Sequence, residues 1–286
     1  MRMTTVCVVG SVNLDQSFAV RALPRPGETV LASASSTSPG GKGGNQAVAA
    51  ARAGASSHLV AAVGDDAAAG QLRDHLRSNG VGLDGMVVVP GPSGAAAIVV
   101  DEAAENTIVV APGANAHLSM ASSQARRVVA DADVVLVQLE IPVETVLAAA
   151  RVGREAGAVV IVNASPAGTQ PRHLAAIAEV ADVIVVNDVE ADEWRWPVAH
   201  LVITRGSAGA THRSADGSVD VPAPAVEAID TTGAGDVFAG VLAAEWPAGA
   251  ERALRRACAA GALATLTRGA GDCAPYAEAI DDVLNG

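Results

Sequence analysis

The sequence predicts an α/β fold, a three-layer doubly wound and mostly parallel sheet that also carries a small β-sheet lid. Short apolar runs rich in β-branched residues alternate with Ala-rich helical stretches. Because these runs are almost continuously apolar, they are typical of strands buried on both faces of a parallel sheet. The predicted strands are Val6–Gly10, His58–Val63, Met86–Val89, Val134–Gln138, Ala158–Asn163, Asp182–Asn187 and His200–Thr204.

The helices expected between these strands mostly end where a glycine follows. Glycine is favoured just beyond a helix C-terminus because it adopts the left-handed conformation without a steric penalty. Strands that alternate with helices in this way indicate a doubly wound sheet with helices on both faces. The predicted helices are Gly44–Ala53, Ala67–Ser78, Glu144–Ala156, Val237–Trp246 and Glu251–Thr267.

Two stretches interrupt this alternation. Ser17–Ser38 is strand-like and shows no helical pattern, while Ala95–Val100 and Thr107–Ala111 flank the turn-like segment Asp101–Asn106. The second stretch therefore predicts an antiparallel hairpin. We expect the two stretches to form a small separate sheet, with an edge extension of the main sheet as the alternative.

Length, composition and charge exclude several classes of protein. The chain has 286 residues, half of them hydrophobic, which suits one α/β domain over residues 1–286 and excludes a disordered chain. Lys and Arg number 19 against 31 Asp and Glu, a net charge of −12, which argues against a nucleic-acid partner. No apolar run approaches the roughly 20 residues of a spanning helix, so no membrane partner is expected.

Cysteine usage and the chain start indicate a cytoplasmic protein. The three cysteines, Cys7, Cys258 and Cys273, share no C-x-x-C spacing, so neither a disulfide framework nor a zinc site is expected. Met1–Thr5 leads directly into the first predicted strand and lacks the apolar region of a signal peptide.

The strongest chemical motif is Asp230-Thr231-Thr232-Gly233-Ala234-Gly235-Asp236, which precedes a helix. Small residues at a helix start leave backbone N–H groups able to approach an anion, and the helix dipole adds positive charge there. Such a nest could hold the charge that develops on a transferring phosphoryl group. Asp236 could accept the proton of an attacking hydroxyl. The alternative is a glycine-rich turn in which Asp236 caps the helix.

A second glycine-rich motif, Gly40-Gly41-Lys42-Gly43-Gly44-Asn45, runs into the next helix. Its glycines let the backbone pass close to a ligand, and Lys42 and Asn45 supply donors suited to hydroxyl groups. The spacing is neither that of a P-loop nor that of a dinucleotide fingerprint. A simple tight turn is the alternative.

A third motif, Gly10-Ser11-Val12-Asn13-Leu14-Asp15, follows the first predicted strand. Ligands of open α/β sheets bind at the carboxyl ends of strands. Asn13 and Asp15 face one side of an extended chain, where they could bind vicinal hydroxyls. A local Asx turn is the alternative.

These motifs together resemble those of the phosphofructokinase-B superfamily of carbohydrate kinases, which share the ribokinase-like fold. The resemblance covers nearly the whole chain, and the two glycine-rich motifs match the two signature regions of the superfamily. Further matching segments are Pro26–Val30, Gly40–Ala53, Gly64–Asp66, Glu105–Thr107, Pro112–Ala116, Gln138–Glu140 and Asn187–Glu190.

The resemblance implies a role for each motif residue. Asp236 would be the base that deprotonates the primary hydroxyl of the sugar, and the anion hole would comprise Gly233, Ala234 and Gly235. The positions that match the sugar site are Asn13, Leu14, Asp15, Gly41, Lys42, Gly43, Gly44, Asn45 and Glu140, together with Asp236.

The resemblance also implies ATP as co-substrate and sites for two cations. Asn187 and Glu190 match an Asn-x-x-Glu motif, in which Glu190 would organise magnesium through water. The positions that match the nucleotide site are Asn187, Thr204, Arg205, Gly206, Ser207, Ala208, Gly209, Gly235 and Cys258. The positions that match an activating monovalent-cation site, usually filled by potassium, are Asp230, Thr232, Ala264, Thr267, Gly269 and Cys273.

The sequence departs from the superfamily pattern at a few positions. The connection Asp188–Ile203 is short, so we expect one or two helical turns there, with Trp194 and Trp196 covering the core. Arg205 stands where relatives carry an apolar residue, and Cys273 replaces a hydroxyl-bearing one.

The expected activity is ATP-dependent phosphorylation of a sugar, with the 5-hydroxyl of D-ribose as the first expectation. A related kinase for another sugar or a nucleoside, such as fructose or adenosine, is one alternative. A non-catalytic sugar or nucleotide sensor of the same fold is the other. The polar set favours a free pentose over a nucleoside. The segments at about 15–39 and 94–112 match the β-sheet lid of the family, whose pairing between subunits makes a homodimer.

Overall fold

The structure is a computed structural model that describes residues 3–103 and 105–285. Residues 1 and 2 of the predicted chain start, and residue 104 of the predicted turn, lie outside the described residues. In chain order the strands are β1 (Thr5–Val9), β2 (Asn13–Ala19), β3 (Ala34–Gly40), β4 (Ser56–Val60), β5 (Ala62–Val63), β6 (Val87–Val88), β7 (Ala95–Val100), β8 (Asn106–Ala111), β9 (Val134–Gln138), β10 (Val159–Asn163), β11 (Val183–Asn187), β12 (His200–Thr204), β13 (Ala210–Ser214) and β14 (Gly217–Val221).

The helices cover both faces of the main sheet. In chain order the α-helices are α1 (Lys42–Arg52), α2 (Ala67–Ser78), α3 (Ser123–Ala130), α4 (Val143–Ala156), α5 (Pro171–Val180), α6 (Asp188–Glu193), α7 (Ala234–Glu245), α8 (Ala250–Ala264) and α9 (Ala277–Asn285). No helix in the described part of the chain combines the length and the apolar character that a membrane crossing requires.

The main sheet has eight strands in the order β14-β13-β12-β11-β10-β9-β1-β4. From β4 to β12 all neighbours pair in parallel, and β13 and β14 add an antiparallel hairpin at one edge. Helix α6 is short, as expected from its brief connection. The predicted doubly wound, mostly parallel sheet is therefore confirmed.

Each face of the main sheet has its own apolar core. Alternate side chains of β1 enter opposite cores, so Val8 lies in the core that contains residues of α1, α2, α7, α8 and α9, whereas Cys7 lies in the core that contains residues of α3, α4 and α5. Both residues are fully buried. Trp194 packs against the second core, as predicted, whereas Trp196, predicted to do the same, lies edge-on to the ring of Trp194. This two-sided burial explains why the strands are continuously apolar.

A second sheet stands apart from the first, in the order β3-β2-β7-β8. The edge-extension alternative is therefore wrong, and we call this four-stranded sheet the lid. Strand β2 begins shortly after the carboxyl end of β1, and Gly40 at the end of β3 leads directly into α1. The lid is thus joined to the main sheet at the Gly10–Asp15 motif and at the Gly40–Asn45 motif.

Two strand predictions are wrong in detail. The run His58–Val63 divides into β4 and β5, and only β4 joins the main sheet. The run Met86–Val89 forms β6, which pairs in parallel with β5 in a separate two-stranded sheet. An apolar run indicates that a segment is buried, but it does not indicate which sheet the segment joins.

Candidate active site

Asp236 lies in the first turn of α7 and is almost fully buried, with 7% of its surface exposed. Its Oδ2 accepts a hydrogen bond from Asn45 Nδ2 at 3.0 Å, and its Oδ1 accepts one from Gln46 Nε2 at 3.0 Å. The carboxylate is therefore bonded to α1, so its contacts differ from those of the helix-capping alternative. A buried carboxylate that accepts two amide hydrogen bonds has a fixed orientation.

Lys42 places a positive charge beside this carboxylate. Its Nζ lies 4.0 Å from Asp236 Oδ1. The negative charge of Asp236 raises the pKa of Lys42, burial opposes this rise, and Glu140 and Glu190 add to it. Lys42 is therefore a protonated ammonium at neutral pH, placed among three carboxylates that converge on one region.

Asn13 and Asp15 lie on the same face of β2, at the base of the lid. Asn13 Oδ1 accepts a hydrogen bond from Asn115 Nδ2 at 2.8 Å. Asp15 Oδ1 is buried and has no hydrogen-bond partner in the described part of the chain. Burial, followed by the charge of Glu140, raises the pKa of Asp15 to about 6, although a hydrogen bond from the backbone of Ala96 to the carboxylate acts in the opposite direction. A buried acceptor without a partner costs free energy, so it marks a place where a ligand hydroxyl would be stabilised.

Glu140 follows β9 and connects two of the motifs. Its Oε2 accepts a hydrogen bond from Ser11 Oγ at 2.5 Å and another from the backbone N–H of Lys42 at 3.1 Å. Because the N–H of Lys42 lies at the start of α1, the carboxylate also interacts favourably with the helix dipole. Glu140 thus fixes the glycine-rich loop against the end of β1.

The glycine-rich loop packs directly on the chain that follows β1. A Cβ at Gly43 would lie 2.7 Å from the backbone of Gly10 and Ser11, so no side chain fits there. Gly41 precedes α1, and both Gly43 and Gly44 are buried within its first turn. Leu14 differs from the other predicted sugar residues, because its side chain packs against the apolar core.

The predicted anion hole begins at Gly233, which has a φ of +81° and precedes α7. A Cβ there would meet Ala270 at 2.8 Å and Cys273 Sγ at 3.1 Å, so glycine is required by both conformation and space. The N–H of Ala234 bonds to the carbonyl of Thr231 at 3.2 Å. The first-turn N–H groups that follow lack partners within the helix and can face an anion.

The residues predicted for a monovalent cation lie beside this nest. Asp230 accepts hydrogen bonds from the N–H groups of Thr232 and Gly269, each at 2.9 Å. Burial tends to raise the pKa of Asp230, but the hydrogen bonds from Thr232 and Gly269 outweigh it, and the net pKa is lowered. Ala264 ends α8, and its carbonyl accepts a hydrogen bond from the N–H of Thr267.

Cys273 contributes a sulfur atom to the same region. Its thiol donates to the carbonyls of Ala270, at 3.3 Å, and of Thr232, at 3.8 Å. Burial, followed by the charge of Asp236, raises the pKa of this thiol to about 11. The thiol is therefore protonated and serves as a weak donor to the backbone that carries the nest.

Asn187 and Glu190 form a reciprocal capping box on α6. The N–H of Glu190 donates to Asn187 Oδ1 at 2.8 Å, and the N–H of Asn187 donates to Glu190 Oε2 at 2.9 Å. Glu190 is more than nine-tenths buried, and its negative charge contributes to the raised pKa of Lys42. Among the described residues, no group of three or more His, Cys, Asp and Glu side chains could hold a metal ion.

A cavity of about 500 Å³ adjoins the nest. Its size falls within the range of small-molecule sites. The residues that line it are Thr204, Gly206, Ser207, Gly209, Ala223, Pro224, Ala225, Val226, Ala228, Thr231, Ala234, Gly235, Phe238, Cys258, Gly261, Ala262 and Thr265. Because Gly235 is shared by the nest and the cavity, a bound molecule could extend a phosphate chain towards Asp236.

The structure places three predicted nucleotide residues outside the lining of this cavity. Arg205 forms ion pairs with Asp188 at 3.2 Å and Asp220 at 3.6 Å. Asn187 caps α6, and Ala208 lies in the turn between β12 and β13. The remaining predicted residues Thr204, Gly206, Ser207, Gly209, Gly235 and Cys258 all line it.

A larger cavity, about 620 Å³, lies at the N-terminal end of α8 and beside α9. Its arginines are engaged with carboxylates, since Arg252 and Arg256 pair with Glu245 and Arg255 pairs with Glu251. It contains none of the motif residues. The smaller cavity beside the nest is therefore the better candidate for a nucleotide.

Sequence reasoning assigned no site role to four residues that complete the polar network. Ser11 bonds to Glu140, Asn115 bonds to Val12 and Asn13 of the Gly10–Asp15 motif, and the buried pair Gln46 and Gln138 extends from Asp236. All four residues belong to segments that match the superfamily, which is the signal that could have found them. Gln46 lies in a helix whose polar residues would ordinarily face solvent.

Comparisons with known proteins agree with this geometry. Residues 3–277 match the pfkB family of carbohydrate kinases. The ribokinase of Bacillus subtilis is 35% identical over 99% of this chain and 100% of the relative. The deoxyribokinase of Salmonella typhi is 32% identical over 98% of each chain. The Arabidopsis thaliana ribokinase complexed with ribose and ATP superimposes with a TM-score of 0.91 at 28% identity, covering 100% of both chains.

The fold and the site define a kinase, a phosphotransferase that uses an alcohol group as acceptor. The chain belongs to the pfkB family of carbohydrate kinases. The superfamily resemblance that the motifs indicated is thus confirmed.

Proposed function

We propose that this protein is an ATP-dependent D-ribokinase that transfers the γ-phosphoryl group of ATP to the 5-hydroxyl of D-ribose. The observation that carries the proposal is the buried Asp236 carboxylate, bonded to Asn45 and close to Lys42 between the nest and the lid. The full-length similarity to the Bacillus subtilis ribokinase and to the ribose-bound Arabidopsis structure supports the same activity.

The polar set favours a free pentose as acceptor. Asn13, Asp15, Lys42, Asn45 and Glu140 offer both donors and acceptors around the base of the lid. A free pentose carries several adjacent hydroxyls that each need such a partner, whereas in a nucleoside a planar base replaces the anomeric hydroxyl and its faces favour an apolar wall beside the sugar. Sites built to bind hydroxyls reject analogues that lack them. Deoxyribose is the second candidate, because the Salmonella deoxyribokinase is similar over nearly the whole chain.

In the proposed mechanism, Asp236 accepts the proton of the 5-hydroxyl as that oxygen attacks the γ-phosphorus. The bond from the γ-phosphorus to the bridging oxygen breaks, and ADP leaves with that oxygen. The N–H groups at the start of α7 stabilise the charge on the transferring phosphoryl group. Phosphoryl transfer depends mainly on such positioning and charge stabilisation.

Magnesium is part of the proposal as an activating ion, and Glu190 would hold it through water. The fit rests on donor chemistry, because magnesium prefers carboxylate oxygen and retained water. Glu190 is a nearly buried carboxylate whose charge reaches Lys42. When bound, magnesium would neutralise charge on the phosphates of ATP.

Potassium is the proposed monovalent activator. Asp230 would supply a carboxylate, and Thr232, Ala264, Thr267 and Gly269 would supply backbone carbonyl oxygens, as the resemblance implies. Hard cations prefer such oxygen donors, whereas the thiol of Cys273 is soft and bonds to a carbonyl instead. Cys273 would then support the site through the backbone rather than as a ligand. An ion there would order the nest without touching the sugar.

We further propose that the lid makes a homodimer. Ile98, Ile108 and Val110 share one face of the lid with Asp15, according to the strand register. About half of the surface of Ile108 and of Val110 is exposed, at 49% and 48%. Apolar side chains on a small sheet favour burial against a second copy, and a symmetric contact would bury the apolar lid faces of both subunits.

A cytoplasmic location is proposed from the thiols. All three cysteines, Cys7, Cys258 and Cys273, are free and buried. Burial raises the pKa of Cys258 to about 12, so this thiol is unreactive. Free thiols of this kind suit a reducing compartment.

The experiment that tests the proposed function is an ADP-release assay with a panel of acceptors. D-ribose, 2-deoxy-D-ribose, D-fructose and adenosine are compared by kcat/KM, with ATP alone as the blank. We expect ribose to exceed each competitor by at least about tenfold. A preference for adenosine or fructose would overturn the proposed acceptor. A rate equal to the blank with every acceptor would favour the non-catalytic alternative.

A further inference from the structure

We propose that Gln46 and Gln138 form a buried amide relay that orients the Asp236 carboxylate and stabilises its ionised form. Both are positioning residues, since they act through Asp236 rather than on the substrate. The inference rests on the proposed function, in which Asp236 is the base. It adds two residues to which the motifs assigned no role in the reaction.

The relay consists of two hydrogen bonds in series. Gln46 Nε2 donates to Asp236 Oδ1 at 3.0 Å, and Gln138 Nε2 donates to Gln46 Oε1 at 2.7 Å. Both glutamines have 0% of their surface exposed. The relay therefore runs from the end of β9, through α1, to α7, and it has no access to water that could replace either bond.

The ionised carboxylate determines the direction of both amides. An ionised oxygen only accepts, so Gln46 must direct its NH₂ group towards Asp236 and its carbonyl towards Gln138. Gln138 must then donate with its own NH₂ group. The opposite orientation would place a carbonyl against the carboxylate, where both groups are acceptors.

This direction accounts for an unsatisfied atom. Gln138 Oε1 is buried and has no hydrogen-bond partner among the described residues. It lies against Gly10, where a Cβ would approach it to 1.9 Å. An unsatisfied buried acceptor is costly, and a relay that must donate towards Asp236 explains why this one persists.

The relay has a consequence for the reaction that simple packing lacks. A donor to an ionised carboxylate favours the ionised form, so its loss makes protonation easier. A hydrogen bond to a charged group contributes the equivalent of roughly one pH unit. Without Gln46, the base would therefore become protonated at a higher pH than in the wild-type enzyme.

The test measures single-turnover rates across pH, at saturating ribose and magnesium-ATP. The variants are Gln46→Met and Gln138→Met, which keep the side-chain length but cannot donate. The control is Thr145→Val on α4, away from the site. It removes the buried hydrogen bond from the Thr145 hydroxyl to the carbonyl of Leu118. We expect Gln46→Met to lower the rate about tenfold at neutral pH and to move the acid limb up by about one pH unit.

Gln138→Met should move the acid limb in the same direction by a smaller amount. The double variant should move it no further than Gln46→Met alone, because the two residues act in series. Thr145→Val should leave the acid limb in place. If Gln46→Met does not fold, the smaller shift in Gln138→Met still tests the relay.

An unshifted acid limb in both glutamine variants would overturn the relay, whatever the fall in rate. Failure of the proposed function would show itself differently. In that case Asp236→Asn would retain most of its activity, and the relay would have no base to orient. Loss of activity in Asp236→Asn together with unshifted glutamine variants would refute the relay alone.

Discussion

Asn45 Nδ2 lies 3.0 Å from Asp236 Oδ2, although 191 positions separate the two residues in the chain. This hydrogen bond joins the two glycine-rich motifs into one site. Each motif taken alone had a structural alternative, a tight turn for one and a helix cap for the other. Their contact places an amide and a buried carboxylate side by side, and such fixed positioning of polar groups is what transfer of a phosphoryl group to an alcohol depends on.

Asp236→Asn should fold normally and lose about 10²–10⁴-fold in kcat, the usual contribution of a positioned general base. An asparagine keeps the shape of the side chain but cannot accept the hydroxyl proton. The measurement is steady-state kcat for ribose, with thermal unfolding to verify the fold. Asp282→Asn, on the exposed face of α9, is the matched control. Retention of most activity by Asp236→Asn would exclude it as the base.

Asp15→Asn should stabilise the protein without ligand at pH 7.5. The pKa of Asp15 is raised from 3.8 to about 6 in the folded state, so this state binds the proton more tightly than the unfolded one. The contribution of Asp15 to stability is therefore fully present below about pH 4 and is lost as the pH rises through 6. Removing the charge should raise the Tm at pH 7.5, and the gain should vanish near pH 4.

The same variant should bind ribose more weakly, because asparagine presents one neutral carbonyl oxygen to the sugar hydroxyls in place of the two oxygens of a charged carboxylate. Thermal unfolding between pH 4 and 8, with and without ribose, measures both effects. Asp216→Asn, in the exposed turn between β13 and β14, is the control. A Tm difference that is constant across this pH range would show that the charge of Asp15 is not its cause.

Much of the fold could be predicted because burial dominates its pattern. Strands β9, β10 and β11 are fully or almost fully buried between two helical layers, so their apolar runs are unambiguous. The hairpin strands β13 and β14 were not predicted. β13 is polar in sequence although its first three residues are buried, and the edge strand β14 is exposed except for its last residue, so neither contains a continuous apolar run.

Helices α3, α5 and α9 were also not predicted. Each is ten residues or shorter and buries only one to three residues, so its apolar periodicity is weak. Asp131 follows α3 and Ala181 follows α5, so these two helices lack the glycine stop signal that marked other helices. Capping by Ser122 begins α3, and such a single polar residue is a weaker signal than a periodic apolar face.

The residues of the candidate site could be recognised from the sequence, but the contacts between them could not. Motif residues such as Lys42 and Asp236 were found from local spacing, whereas their 4.0 Å approach depends on how α1 packs against α7. Gln46 illustrates the limit. A glutamine in a helix usually faces solvent, and here it is fully buried because a carboxylate 190 positions away accepts its hydrogen bond.

Replacing potassium with lithium or sodium should lower kcat well below the potassium value. The proposed ion beside Asp230 would order the loop that carries Gly233, so its effect should fall on turnover more than on the KM for ribose. Rates are measured in buffers free of potassium and titrated with each chloride salt. Asp230→Asn should lose the response to potassium. Equal activity with all three ions would exclude a working cation site.

Ile98→Asp and Val110→Asp together should give a monomer with weaker ribose affinity. Both residues lie on the lid face that carries Asp15, where the second subunit is proposed to pack. A buried charge there would be unpaired and costly. Sedimentation at micromolar concentration measures the assembly.

Val109→Asp is the control for the lid, because its side chain is 65% exposed and lies on the opposite face of β8. It should remain a dimer with unchanged ribose affinity. A wild-type protein that sediments as a monomer would refute the dimer. Dissociation by Val109→Asp to the same extent would place the contact on the other face.

The most direct test of the central claim is the structure of the product formed from D-ribose and ATP. Phosphorus and carbon NMR of the isolated product identify the oxygen that carries the new phosphate. The account predicts ribose 5-phosphate, formed in equal amount to ADP, and none from the Asp236→Asn variant over the same time. A phosphate on another hydroxyl, or ADP formed without a phosphorylated sugar, would contradict it.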